Sequence, residues 1–478
     1  MQQEGEHAAV IIGAGPAGLA AAYELAAHGR HPLVLEKADQ VGGIARTEVY
    51  KGYRFDIGGH RFHTRNEEVR GLWHEMLGDD LLKVRRASRI YHQGRFFAYP
   101  LELLDILRNV GPLEGSLMLL SYLRAKLPPR RRDDSFEDWV VNRFGARLYR
   151  TFFQTYTEKV WGIPCSAIQA EWAQQRIGSL SLATAARSAL FGGAGERTLI
   201  SEFEYPRHGS GMMWQRYAEA MEVLGGRLML GSEVTRLDLS GGRVVSVVVR
   251  QKTGPVDIRA ESVISSMSLP HLVRGLTPAP PESVLRAAAG LTHRGLVVVA
   301  LIVDRADLCP DQWIYVHEPS LRVGRIQNFN NWSAALAPDP RTTCIAMEYF
   351  CTEGDDFWTM PDERIIELAA AELARLGLAE RSEVADGAVV RQSAAYPVYD
   401  RAYAGNLRTM RDFLATIPNL QTIGRNGMHR YNNMDHSMIC GILAARKLLG
   451  QQADPWSADA EASYQEGRLA EPPARSRR

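Results

Sequence analysis

Short apolar runs without polar interruption open the chain, and longer alternating runs fill its middle. Ala8–Ile12 is the first run; "PLVLE", ending at Glu36, is the second, and an alanine-rich stretch through Leu25 lies between them. Brief apolar runs bounded by turn residues read as strands buried on both faces, and the stretch between them reads as a helix. From Gly225 to Met267 apolar and polar residues alternate and break at Gly-Gly pairs, which predicts antiparallel strands and then a buried strand at "SVISSM". Further strands are predicted at "GLVVVALIVDR", "TTCIAMEYFC" and "AVVRQSAAYPVY". Residues 81–209 read as mainly helical, including the leucine-rich stretch Leu113–Leu127. That stretch is expected to be a core helix. The alternative is a helix touching a membrane surface, since Arg130–Arg132 follow it, although Asp133 and Asp134 offset most of that charge. A final apolar helix is predicted from Asp435 to Leu449.

Gly13, Gly15 and Gly18 place a GxGxxG between the first strand and its helix. The first glycine permits the tight turn, the second lets backbone approach a pyrophosphate, and the third lets the helix pack close to the sheet. The phosphates then meet the positive end of the helix. Glu36, ending the second strand, is placed to accept hydrogen bonds from an adenosine ribose. A second glycine pair, Gly42–Gly43, follows with Arg46 close behind. Small residues at that place suit a dinucleotide whose far half is an isoalloxazine, so FAD is the expected cofactor.

The expected fold is therefore α/β: a discontinuous Rossmann-like FAD-binding domain of residues 1–80, 210–275 and 415–450, with an inserted α+β substrate domain. The insertions are a helical subdomain, 81–209, and a β-rich one, 276–414; the polar tail, 451–478, is expected to be mobile. A helical layer and a sheet facing a flavin can enclose a small-molecule substrate between domains. The 478 residues suffice for this plan, and 55 acidic against 56 basic residues give no overall field toward nucleic acid or an anionic membrane. No uninterrupted apolar run approaches the length of a membrane span, so stable insertion is not expected. The five cysteines are scattered without a CxxC pair, and the N-terminus is polar rather than leader-like, which fits a cytoplasmic protein.

Four distant stretches carry a resemblance. "GGHRFHT" (Gly58–Thr64), "YTEKVWG" (Tyr156–Gly162), "AYPVY" (Ala395–Tyr399) and "GRNGMHRYNNMD" (Gly424–Asp435) occur in this order. Together with the FAD frame they resemble the UDP-galactopyranose mutases, within the superfamily of FAD-dependent amine oxidases and protoporphyrinogen oxidases. The resemblance implies that His63 lies beside the flavin with His60 in the same loop. It makes Arg176 a substrate-side arginine and has Tyr396, Arg425 and Tyr431 face diphosphate and flavin. Val234 would lie near the adenine, and Gly424, Asn433, Met434 and Asp435 would meet the flavin edge at a helix N-terminus. Three departures point to a divergent substrate: Asn433 stands where the mutases have aspartate, Gly59 and Arg61 occupy the variable places of the histidine loop, and the helical insertion is longer. Arg207 reads as a turn residue, Trp161 as core or stacking platform, and "GRIQNFNNWS" (Gly324–Ser333) as a candidate substrate-facing strand. A metal site at His429, Asp435 and His436 is the minor alternative, because their spacing is not a standard ligand set.

The expected function is an FAD-dependent enzyme acting on a nucleotide-linked sugar, with reduced flavin N5 as nucleophile and NAD(P)H as a candidate reductant. One alternative is an oxidoreductase of the amine oxidase type, taking hydride from a sugar or amine with His63 as base. A non-catalytic FAD-binding scaffold is the other.

Overall fold

The computed structural model describes residues 2–99, 101, 103–128, 132–170, 172 and 201–457. At its centre is a parallel sheet in the order Arg227–Met229, Leu33–Leu35, Val10–Ile12, Val263–Ser265, Leu420–Thr422. Its strands are unbroken apolar runs because both faces are covered. Ile11, Val34 and Ile264 point to one side, against the helices Pro16–Ala27, Gly211–Val223 and Met434–Leu448. Val10, Ile12, Leu33, Leu35 and Val263 point to the other, against an antiparallel layer built on Glu233–Ser240, Arg243–Gln251 and Gly254–Ala260. This is a Rossmann-like arrangement assembled from three separate stretches of chain.

A second large sheet has seven strands, ordered Val384–Pro397, His293–Val303, Thr343–Cys351, Arg325–Asn328, Trp313–Val316, Ser88–His92, Arg95–Ala98. One face packs on the helix Asp362–Arg375. The other joins a core with the helices Phe136–Phe144 and Thr155–Trp161, including Trp139, Phe144 and Trp161. The first helix of the nucleotide half crosses the last in near backbone contact: a Cβ on Gly441 would lie 2.1 Å from Ala17 O; the turn at Gly424, ahead of the last helix, comes nearly as close, a Cβ there falling 2.7 Å from Ala17 Cβ. That crossing brings both helix N-termini to the same cleft.

Four features differ from the sequence expectation. Residues 81–98, expected within a helical stretch, form three strands, Leu81–Arg85, Ser88–His92 and Arg95–Ala98. The last two make a hairpin whose turn residues, Gln93 (φ 49°) and Gly94 (φ 75°), are both left-handed, as a two-residue turn between twisted strands requires. Within the expected β-rich stretch, Glu282–Gly290 and Tyr403–Leu414 are helices that pack into the core of the nucleotide half through Val284, Ala287, Leu407 and Met410. The final helix starts at Met434, one residue early, because Asn433 caps it. The leucine-rich helix, Pro112–Lys126, is not a core helix: Gly115 and Met118 are its buried residues, and Leu113, Leu119, Leu120, Leu123 and Leu127 are exposed. Its small face packs instead, so closely that a Cβ on Gly145 would sit 2.8 Å from Ser121 backbone atoms. The tail expected to be mobile lies outside the described residues from 458 onward.

Candidate active site

A cleft of about 650 Å³ runs between the two halves of the molecule. At one end the strand Val10–Ile12 turns at Gly13 (φ 97°), where a Cβ would be 2.2 Å from Ser266 Oγ. Gly18 lies beneath the turn rather than in the cleft, since its Cβ would meet Gly13 O at 1.8 Å. Gly15 and Gly43 face each other across the groove floor, a Cβ on Gly43 falling 3.3 Å from Gly15 Cα. Gly42 N donates to Ala14 O at 2.8 Å, which ties the two glycine loops together. Gly42 itself is a conformational glycine (φ 104°) beside Arg46 and does not line the cleft. Glu36 is buried at the strand end, its carboxylate accepting from Ala14 N at 2.7 Å and Ala38 N at 2.9 Å. Val234, Ser266, His271 and Arg274 close this end.

Toward the other half, Arg46 donates to Gly43 O (2.9 Å), Gln392 Oε1 (2.8 Å) and Glu48 (2.6 Å), bridging the glycine loop to the seven-stranded sheet. The loop after Tyr53–Asp56 presents His60 and His63 to the cleft. His60 Nδ1 is buried without a hydrogen-bond partner. Burial, with Arg425, Arg325 and Arg46 nearby, pushes its imidazole down to about 3, so it is neutral at physiological pH. Burial and Arg61 also lower His63, against the pull of Asp435, which leaves it a neutral base.

The strand Val384–Pro397 bulges here: Arg294 pairs with Tyr396 and Leu296 with Gln392, so three residues on one strand oppose one on the other. The bulge pushes Ser393 and Ala394 into the cleft, with Ala394 held at φ 50°. Such a local departure from the ladder is a frequent way to re-aim side chains at a site. Beyond it stands a wall of rings and cations. Tyr396 and Tyr431 stack with centroids 5.7 Å apart, and Trp161 meets Tyr396 edge-on at 6.3 Å. The Arg425 guanidinium lies 4.0 Å from the Tyr431 ring centroid and 4.9 Å from that of Tyr396. Its Nε is buried and unpartnered. Arg325 is gripped by Glu348 (Nε to Oε1 2.9 Å, Nη2 to Oε2 2.5 Å) and reaches Tyr396 Oη at 3.5 Å. Burial raises the Tyr396 phenol despite Arg325, keeping it protonated. The final helix points its N-terminus at the same region: Asn433 caps it reciprocally with His436, and Met434 and Asp435 line the cleft.

Of the sequence-predicted residues, Gly13, Gly15, Glu36, Gly43, Arg46, His60, His63, Val234, Tyr396, Gly424, Arg425, Tyr431, Asn433, Met434 and Asp435 all line this one cleft. Gly18 and Gly42 shape its loops, and Arg176 lies outside the described residues. Arg207 sits in a turn, donating to Asp80 Oδ1 at 3.0 Å. Trp161 is buried core whose edge supports the wall. Sequence reasoning flagged the strand of Arg325 but not the residue, and missed Glu348. The signal was one charge in each of two otherwise uncharged strands, which pair in register. His429 is buried against His293 (centroids 4.3 Å), and among the described residues no group of three candidate ligands gathers to hold a metal.

The residues fit a flavin dinucleotide. The glycine floor leaves a groove that a Cβ on Gly15 or Gly43 would narrow, two helix N-termini face it, and the neutral His60 and the Arg425 guanidinium line it. The comparisons agree at the level of class. The sequence model described as flavin containing amine oxidoreductase matches residues 16–449, and the chain belongs to that family. It is an FAD-dependent enzyme. A phytoene dehydrogenase of Streptomyces griseus is 26% identical over 319 residues, 60% of this chain and 60% of that protein. A Klebsiella pneumoniae protein named "Probable UDP-galactopyranose mutase" is 27% identical over 173 residues, 34% of this chain and 42% of its own length. The match thus spans less than two thirds of either relative. Among solved structures, reduced UDP-galactopyranose mutase superposes with a TM-score of 0.83 at 20% identity, covering 97% of this chain and all of the other, which establishes the shared fold.

Proposed function

We propose that the enzyme binds FAD along this cleft and acts on a nucleotide-linked sugar in the manner of a UDP-galactopyranose mutase. The observation that carries the reading is the cationic, tyrosine-rich wall of Arg425, Arg325, Tyr396 and Tyr431, next to the neutral His60 and His63. Guanidinium forks and phenols suit a diphosphate, whereas a protonated amine would meet like charge there. Glu348 fixes Arg325 rather than neutralising the wall outright, because Arg425 and Arg61 also face the cleft.

When bound, reduced flavin would supply a nucleophilic N5 for the anomeric carbon. Arg425 and Arg325 would hold the departing diphosphate near the reacting carbon, with Tyr396 and Tyr431 donating to its oxygens. Glu36 would accept from the adenosine ribose, and the amides at Met434 would face the negative edge of the reduced ring. His63, neutral and at the flavin side, can accept and return a proton.

A second reading, hydride transfer from an organic substrate, is favoured by family membership and by the neutral His63 beside the cleft. One experiment separates them. The purified enzyme is reduced with dithionite or NADPH under nitrogen and offered nucleotide sugars while flavin spectrum and sugar products are followed together. Isomerisation that requires reduced flavin, without net electron transfer, supports the mutase-type reading. Bleaching of the oxidised enzyme by a substrate, with recovery in air, would assign it to redox chemistry.

A further inference from the structure

We infer that the outer face of the helix Pro112–Lys126 docks on an anionic lipid bilayer, lying in the plane of its surface. The leucines on this face are 76% (Leu113), 59% (Leu119), 63% (Leu120), 52% (Leu123) and 64% (Leu127) exposed. At about 100° per residue, the four within the helix share an arc of about 120°. Leu127 follows at the C-cap, where the backbone leaves the helix. Scattered single leucines are ordinary on a protein surface; a contiguous row of them marks a contact face.

The charges identify the partner. Arg124 and Lys126 flank the leucine arc on its two margins, and both are exposed, as are Arg108 and Arg132. The neighbouring acids are mostly committed: Glu114 receives both arms of Arg147 at 2.7 and 2.9 Å, and Asp133 receives Arg143 at 2.9 Å. Among the described residues, Asp134 is an exposed acid that remains close by in sequence. An apolar arc edged by cations suits an interface where leucines enter the acyl boundary and the cations meet lipid phosphates. A second copy packed in parallel on this face by a two-fold axis would set Arg124 and Lys126 against their own copies. The helix is 15 residues long, and among the described residues no helix is long and apolar enough to cross a membrane, so the contact is interfacial. The inference does not depend on the substrate proposed above.

The test is vesicle flotation of the flavin-loaded enzyme with phosphatidylcholine alone and with added phosphatidylglycerol, at low and high salt. Wild type is expected to float with the anionic vesicles at least about tenfold better than with the neutral ones, and less so in salt. Leu120→Ser with Leu123→Ser should lose that binding by about tenfold or more with flavin content unchanged. Arg124→Gln with Lys126→Gln should weaken it and flatten the salt dependence. Should the leucine variant lose its flavin, a Leu120→Trp enzyme reports instead, its emission shifting to the blue on anionic vesicles. Three results would each overturn the inference: no flotation with anionic vesicles, binding or emission indifferent to these changes, or sedimentation showing an assembly that the leucine variant dissociates.

Discussion

Arg425 lies across the Tyr396 and Tyr431 rings on the wall of the cleft, its guanidinium 4.9 and 4.0 Å from their centroids. Lysine at this place would keep the charge but lose the flat fork and the stacking, which is worth about 1–2 kcal/mol where desolvated. Arg425→Lys is therefore expected to weaken binding of a nucleoside diphosphate to the flavin-loaded enzyme by about tenfold in a calorimetric titration. Equal affinity in the two enzymes would mean that Arg425 serves the fold alone. Asp56 makes a different claim. It is fully buried, accepts from Thr47 Oγ1 (2.5 Å) and Tyr205 Oη (2.7 Å), and burial pushes its carboxyl up to about 7 from 3.8. A folded pKa above the unfolded one means that the native state binds more protons. Its stabilising contribution is then complete below about pH 4 and lost as pH rises through 7. Asp56→Asn, which stays neutral, should flatten the denaturation midpoint between those pH values, an effect on the order of 4 kcal/mol at most. Residues such as Arg425 and Tyr431 were legible because their types suit phosphate and sit in a recognisable block. Asp56 was not, since a lone aspartate in "YRFD" gives no sign of the hydroxyls that fold around it.

Elements whose hydrophobic period was clean emerged where the pattern put them: the strands Val10–Ile12, Leu33–Leu35 and Val263–Ser265, and the helix Pro16–Ala27. The hairpin at residues 88–98 was missed because its strands are four or five residues long and carry arginine and histidine, leaving only the Gln93–Gly94 turn as signal. The leucine helix misled in the opposite sense, since apolar content alone does not say which way a face points. Glycine contacts supply a sharper element-scale test. Gly441→Val would drive a side chain into Ala17 O, which belongs to the backbone of the crossing helix and cannot rotate away. The expected outcome is a loss of about 1–3 kcal/mol and poor flavin retention, seen as a lower melting temperature and a weaker visible flavin band. Gly71, inside the helix Glu67–Leu77 with open space around it, predicts the reverse. Gly71→Ala should raise stability by about 0.5–1 kcal/mol with flavin content unchanged, and a melting temperature that falls would contradict the helix geometry there.

At the scale of the whole molecule, the cleft draws on residues from Ile12 to Ser437, so nearly the full length of chain must fold before the site exists. The nucleotide half is closed by its last strand, Leu420–Thr422, and last helix, which arrive after the seven-stranded sheet has been completed in sequence. The discontinuous plan was readable because strand–glycine–helix chemistry marks the first stretch and the polar block marks the last. The exact division between halves was not, since Glu282–Gly290 and Tyr403–Leu414 pack against a core distant in sequence. Arg46 then joins the halves directly, from Gly43 O to Gln392. A ligand that binds only this assembled state stabilises it by mass action, about 2.7 kcal/mol at a hundred times its dissociation constant. Both halves carry buried tryptophans, Trp73 and Trp214 in one and Trp139 and Trp161 in the other. Heating the holoenzyme should therefore release flavin fluorescence and expose tryptophan in a single transition, whose midpoint rises with added FAD. Two separated transitions, with flavin leaving while the tryptophans stay buried, would show instead that the cleft opens without the halves unfolding, and that separating the folded halves is enough to release FAD.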